Sequence, residues 1–137
     1  MQNVTVFDQS ARYIFLPLLI TGKNGEPFEF DAILDTGAPK TEFSDQALQR
    51  AGFLEKADNE VTLTPGLSTQ KYGQMIIPHL EVCSQQMKDL HVYVSHFEKS
   101  WGIDALIGLD FFRRFKVTVN YCSPLPLPEK LPGKDKI

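Results

Sequence analysis

The chain has 137 residues, enough for one domain with a modest core and too few for two. Its composition, 42% hydrophobic and 23% charged, is that of a globular protein rather than a disordered or fibrous chain. The net charge of −3, from 14 basic and 17 acidic residues, argues against a nucleic-acid partner, which calls for a basic surplus on one face.

Taken in order, the first half reads as β structure. Tyr13 to Ile20 is a strand candidate, and at eight residues, with Pro17 inside it, it is too short to span a bilayer. The segment before it is nearly uncharged and no small-residue cleavage site follows, so a signal peptide is not expected. The cytoplasm is the expected compartment, and the sequon Asn3-Val4-Thr5 is read as chance. Thr21 to Pro27 contains Asn24-Gly25, a hairpin signal because both residues tolerate positive φ. Phe28 to Leu34 returns as the partner strand, with Phe28, Phe30, Ala32 and Leu34 at period two.

Ser44 has the character of a helix N-cap, Asp45 suits the positive end of the dipole, and Gly52 is a natural stop. A short helix over Asp45 to Ala51 follows. Val61 to Ile77 reads as a hairpin turning near Pro65-Gly66, where glycine takes the positive φ of a type II turn. Leu80 to Cys83 and Leu90 to Val94 are further short strands. Leu106-Ile107 runs into Gly108, and Asp110 to Phe115 makes one or two helical turns. In those turns Phe111, Phe112 and Phe115 face inward, with Arg113 and Arg114 outward. Lys116 to Tyr121 alternates as a strand. Pro124, Pro126, Pro128 and Pro132 mark residues 124–137 as an extended tail, separate from a domain over 1–123.

Cys83 and Cys122 form no close pair and are expected to be reduced. His79, His91 and His96 show no metal-binding spacing, so neither metal nor cofactor is expected.

A weak internal repeat carries the chemistry. Strand, turn and short helix occur at Phe28–Leu34, Asp35-Thr36-Gly37 and Asp45–Ala51. They recur at Ala105–Ile107, Gly108 and Asp110–Phe115. Many short strands with two such crossings imply an all-β fold, a small, partly closed β-barrel with one or two short helices. Alone, Asp35-Thr36-Gly37 is better explained by a turn than by catalysis. Paired with "ALIGLDFF" (105–112), it resembles the retropepsin-like aspartic proteases, the retroviral-type peptidases that act as homodimers of one short chain. The likeness runs from about Tyr13 to Tyr121 and favours the non-viral branch. Retroviral enzymes carry acids after the Asp-Thr-Gly-Ala and an arginine after the second glycine, where this chain has Pro39-Lys40 and Leu109.

The resemblance implies an aspartic endopeptidase acting on peptides or proteins, with Asp35, Thr36 and Gly37 as the catalytic triplet. Peptide hydrolysis needs a base for water and an acid for the carbonyl, and two close carboxylates sharing one proton supply both. No other Asp precedes Thr-Gly or Ser-Gly, so the second carboxylate must be Asp35 of a second chain. The 61–77 hairpin would be the flap over the substrate, with Gly66 and Gly73 fitting a hairpin that moves. Its tip, Pro65-Gly66-Leu67-Ser68, departs from the Gly-Gly type of the family. Ala38, Pro65, Gly66, Leu67 and Ile107 are the expected substrate-side residues. The proline-rich stretch after Tyr121 cannot supply the interleaved terminal strand of such dimers. Either Val4–Phe7 contributes or the interface is smaller than usual. Two other readings stay open: a non-catalytic retropepsin-like module that dimerises or binds peptides, and an unrelated small barrel with a structural turn at Asp35.

Overall fold

The computed structural model describes residues 3–54 and 70–122, with the backbone alone for 70–72. The first arm of the 61–77 hairpin, its tip at Pro65, Gly66 and Leu67, and the 124–137 tail lie outside the described residues.

β1 (Phe15–Thr21) buries alternate residues, Leu16, Leu18 and Ile20, as period two demands. It pairs antiparallel with β2 (Pro27–Leu34), from Phe15 opposite Ile33 to Thr21 opposite Pro27. The connecting loop closes through Gly22 N–H donating to the Glu26 carbonyl, and of the expected Asn24-Gly25 pair only Gly25 takes a positive φ, +85°. β3 (Glu42–Ser44) leads directly into α1 (Asp45–Arg50). The Ser44 hydroxyl accepts from the Gln46 and Ala47 amides, as an N-cap should. At the far end Phe53 N–H donates to the Leu48 carbonyl and Gly52 sits at φ +86°, a Schellman stop.

β4 (Gln70–Val82) and β5 (Gln85–His96) form a long hairpin where the sequence reads as separate short strands. Pro78 falls in the middle of β4, where the register passes from Ile77 opposite Leu90 to His79 opposite Lys88. The hairpin turns on Cys83 and Ser84, both at positive φ (50° and 66°), without the usual Asn-Gly signature. A single 3₁₀ turn (Lys99–Trp101) precedes β6 (Ala105–Ile107) and α2 (Leu109–Phe112). Phe111 and Phe112 are buried and Arg113 and Arg114 exposed, as their positions imply.

The six strands pair in the order β1-β2-β6-β3-β5-β4, and β4 pairs back onto β1. The barrel is therefore closed, not partly closed. Leu18, Ile20, Phe43, Leu48, Ile77, Val92, Ile107 and Phe111 fill it, each 2% exposed or less. The expected strand at 116–121 does not form a ladder with the described residues. Its alternation in burial holds only to Val119: Val117 and Val119 are half-buried and Lys116 and Thr118 exposed, whereas Asn120 is half-buried and Tyr121 exposed. Among the described residues no helix is long and apolar enough to cross a membrane, which says nothing of β-barrel insertion.

Candidate active site

The placement of Asp35 follows from the pairing of three strands. β2 runs parallel to β6, with Ala32, Ile33 and Leu34 opposite Ala105, Leu106 and Ile107. β3 pairs with the other side of β6, antiparallel, with Glu42 opposite Leu106 and Phe43 opposite Ala105. The chain thus leaves β2, passes over the end of β6, and comes back as β3. Asp35 lies at the start of that passage, where the apolar run ends.

Backbone bonds fix the loop. Asp35 N–H donates to the Ile107 carbonyl at 2.9 Å, extending the parallel ladder by one bond. Ala38 N–H donates to the Asp35 carbonyl at 3.2 Å and closes the turn. Gly37 N–H donates to Asp35 Oδ1 at 3.1 Å, so a backbone dipole is aimed at the carboxylate. A Cβ on Gly37 would lie 3.3 Å from that oxygen, which is why the position suits glycine without any unusual φ. Asp35 is half-buried, Thr36 and Gly37 are exposed, and Ala38 is half-buried.

The second crossing lies directly against the first. A Cβ on Gly108 would meet the Ala38 carbonyl oxygen at 2.6 Å and the Lys40 carbonyl at 2.8–2.9 Å. Only glycine permits this approach. Leu109 N–H donates to the Ala38 carbonyl at 2.8 Å and Asp110 N–H to the Pro39 carbonyl at 3.2 Å. The Ile107 side chain is fully buried in the core, so its place is beneath the loop, and what it offers the site is its carbonyl. Pro65, Gly66 and Leu67 lie outside the described residues. The Lys40 ammonium stands over the Tyr93 ring, 5.5 Å from its centroid.

Thr41 and Asp110 complete the arrangement, and a screen for acids followed by Thr-Gly passes over both. The Thr41 amide and hydroxyl donate to the two oxygens of Asp110, at 2.9 and 2.7 Å. The one signal in the sequence was their spacing, a Thr four residues after the first glycine and an Asp two residues after the second. Among the described residues no second carboxylate meets Asp35, and no three His, Cys, Asp or Glu side chains gather as a metal site. A lone carboxylate can act as base or as acid at a given moment, but not as both.

Residues 21–114 match the family model described as "gag-polyprotein putative aspartyl protease", a span that holds both crossings. The chain belongs to this aspartic protease family. The retroviral protease-like domain of Ddi1 from Leishmania major superposes with a TM-score of 0.52 at 18% identity, over 77% of this chain and 78% of that one. A retropepsin-like aspartic protease from Rickettsia conorii gives 0.52 at 17% identity, over 76% and 73%. Both likenesses establish the retropepsin-like fold. No curated protein sequence matches the chain.

Proposed function

We propose that this member of the aspartic protease family is an endopeptidase that works as a homodimer, with one Asp35 from each subunit. The observation that carries the reading is the Asp35 loop itself. Its carboxylate stands at the end of a parallel crossing, half-open to solvent, with the Gly37 N–H on one oxygen and, among the described residues, no second acid beside it.

Two such loops facing each other across a two-fold axis bring two carboxylates together, and like charges a few ångströms apart hold one proton between them. The unprotonated oxygen removes a proton from water, and that water attacks the scissile carbonyl. The proton of the other carboxyl passes to the carbonyl oxygen, giving a neutral gem-diol. Collapse gives one hydroxyl proton to the ionised carboxylate, and the amine leaves with the proton that the first carboxylate took from water, so the pair again holds one proton. No metal or cofactor enters these steps. The exposed Thr36 hydroxyl, which has no hydrogen-bond partner among the described residues, would reach the partner subunit beneath the two acids. Ala38 leaves room for an extended substrate backbone, and the hairpin tip at Pro65, Gly66 and Leu67 would cover it.

For the second chain, the exposed apolar side chains Val4, Val6 and Tyr121 and the unladdered stretch 116–121 offer one surface. The ring of Tyr121 already lies against Phe7. The cytoplasm is the compartment we assign, supported by two free cysteines.

The test is cleavage of an unfolded protein at mildly acid pH, with and without a chelator, by the native chain and by Asp35→Asn. Native activity that survives chelation and is lost in the variant, with an unchanged melting curve, supports the enzyme. A chain that dimerises without cleaving is a binding or dimerisation module. A chain that stays monomeric at micromolar concentration with peptide present refutes the shared site.

A further inference from the structure

The hydrogen bonds behind the Asp35 loop form one continuous chain that begins at an acid far from it in sequence. Asp110 Oδ1 accepts from the Thr41 hydroxyl at 2.7 Å and from the Phe111 amide at 2.9 Å, and Oδ2 accepts from the Thr41 amide at 2.9 Å. The same Thr41 hydroxyl oxygen accepts from Gly108 N–H at 3.1 Å. Gly108 follows Ile107, whose carbonyl holds the Asp35 amide. Thr41 is fully buried, and it begins the return limb of the loop whose outgoing limb is Asp35. We propose that Thr41 and Asp110 are positioning residues for the hydrolysis assigned above, locking the return limb of the Asp35 loop to the start of α2.

The chemistry of the lock is specific. Among the described residues every group hydrogen-bonded to the Asp110 carboxylate is a donor, so both of its oxygens accept. A carboxylate satisfies this, whereas an asparagine would turn an NH₂ toward a backbone N–H. The Thr41 hydroxyl has one hydrogen, directed to Asp110, which leaves a lone pair for Gly108 N–H. Valine has the same shape and does neither, leaving a buried amide without an acceptor. Retroviral enzymes build an ion pair from an acid after the triplet and an arginine after the second glycine. This chain carries Pro39-Lys40 and Leu109 there and joins the same two limbs by a hydroxyl and a carboxylate. The purpose is positional, because a shared proton depends on the separation of two carboxylates, and small displacements are costly in such a site.

The proposal rests on the reading of Asp35 as half of a shared pair, and the experiment separates the two. Thr41→Val, Thr41→Ser and Asp110→Asn are compared with the native dimer for kcat, KM, pH profile and amide exchange. Thr41→Val and Asp110→Asn are expected to lower kcat by about 10- to 100-fold with KM within about threefold. Their bell-shaped pH profile should narrow from both sides, because closeness is what separates the first proton loss from the second. Thr41→Ser keeps the hydroxyl and should retain at least about a third of the native kcat, with the native profile. Native kcat and profile in Thr41→Val overturn the proposal. So does a Thr41→Ser variant that falls as far as Thr41→Val, since the methyl group rather than the hydroxyl would then matter. If Thr41→Val and Asp110→Asn both fail to fold while Thr41→Ser folds, the pair is a stability element and the positioning role is overturned. If the native chain cleaves nothing, the enzyme reading fails on its own account. The lock is then decided by exchange: Gly37 and Gly108 amides that exchange at least about tenfold faster in Thr41→Val support it, and unchanged rates overturn it.

Discussion

Substituting Gly108 by alanine tests whether the two crossings depend on backbone contact. A Cβ there meets the Ala38 carbonyl oxygen at 2.6 Å and the Lys40 carbonyl carbon and oxygen at 2.8 and 2.9 Å. These are backbone atoms, so no rotamer change relieves the clash. Restoring ordinary contact moves one limb by about 0.6–0.8 Å. Overpacking of this kind costs about 1–3 kcal/mol. The displacement also strains the bonds from Leu109 and Asp110 to the Ala38 and Pro39 carbonyls, each contributing about 1 kcal/mol. A loss of about 2–4 kcal/mol follows, which in a domain of this size lowers the melting temperature by roughly 8–16 °C. Urea and thermal unfolding followed by circular dichroism measure it. Gly73→Ala is the control, because nothing among the described residues lies within 4 Å of its Cβ position, and it should stay within about 0.5 kcal/mol of native. In the surviving folded fraction of Gly108→Ala, peptidase activity should fall about 100-fold, since the displaced limb carries Asp35. A Gly108→Ala protein within about 0.5 kcal/mol of native would refute the close approach as described.

Three smaller perturbations probe the frame around the site. Ser44→Ala removes the acceptor for the Gln46 and Ala47 amides and should cost about 1 kcal/mol in urea melts. Arg50→Ala should cost at most about 0.5 kcal/mol, because its side chain is 53% exposed and solvent screens the pair with Asp104. Asp104→Ala should cost about 1–2 kcal/mol, because it also strands the Asp31 amide that donates to Asp104 Oδ2. Burial pushes the Cys83 thiol up and shields its sulfur, whereas Cys122 is exposed. A thiol reagent at mildly alkaline pH should therefore label one cysteine quickly and the other at least about tenfold more slowly, with the difference lost in urea.

What the sequence made legible were features encoded within a few residues. Alternation set β1 and β2, the Ser44 cap and Gly52 stop bounded α1, and the apolar run ending at Asp35 pointed to the crossing. Other features depend on partners distant in the chain. The sequence reads β4 as two strands, one ending at Ile77 and one starting at Leu80, yet the ladder to β5 continues past Pro78 between them. The Cys83-Ser84 turn demands two positive-φ residues, and neither residue type advertises that. Residues 116–119 carry a strand's alternation in burial without a strand's ladder, because alternation reports which face is buried and not which strand pairs with it. Thr41 and Asp110 stand 69 positions apart, and only the fold makes them neighbours.

The acids of the chain bear on why the site is half a site. Asp45 is fully buried and held by His96 Nδ1 at 3.0 Å and by the Gln46 amide. Asp104 takes Arg50 and the Asp31 amide. Asp110 takes three donors. Asp8 accepts from the Ser10 amide and hydroxyl, and those bonds hold its carboxyl below the ordinary value. Each of these carboxylates has an architectural partner that fixes it where it stands. Asp35 differs from Asp45, Asp104 and Asp110 in that, among the described residues, its carboxylate accepts only from the Gly37 amide of its own loop, which positions it without enclosing it. The loop that carries Asp35 is tied at both limbs, since β6 pairs with β2 on one side and with β3 on the other. On the proposed mechanism, assembly therefore joins two preformed halves instead of rearranging one. The energetic demand then falls on the interface between chains, and the loop that carries the chemistry is already set before they meet.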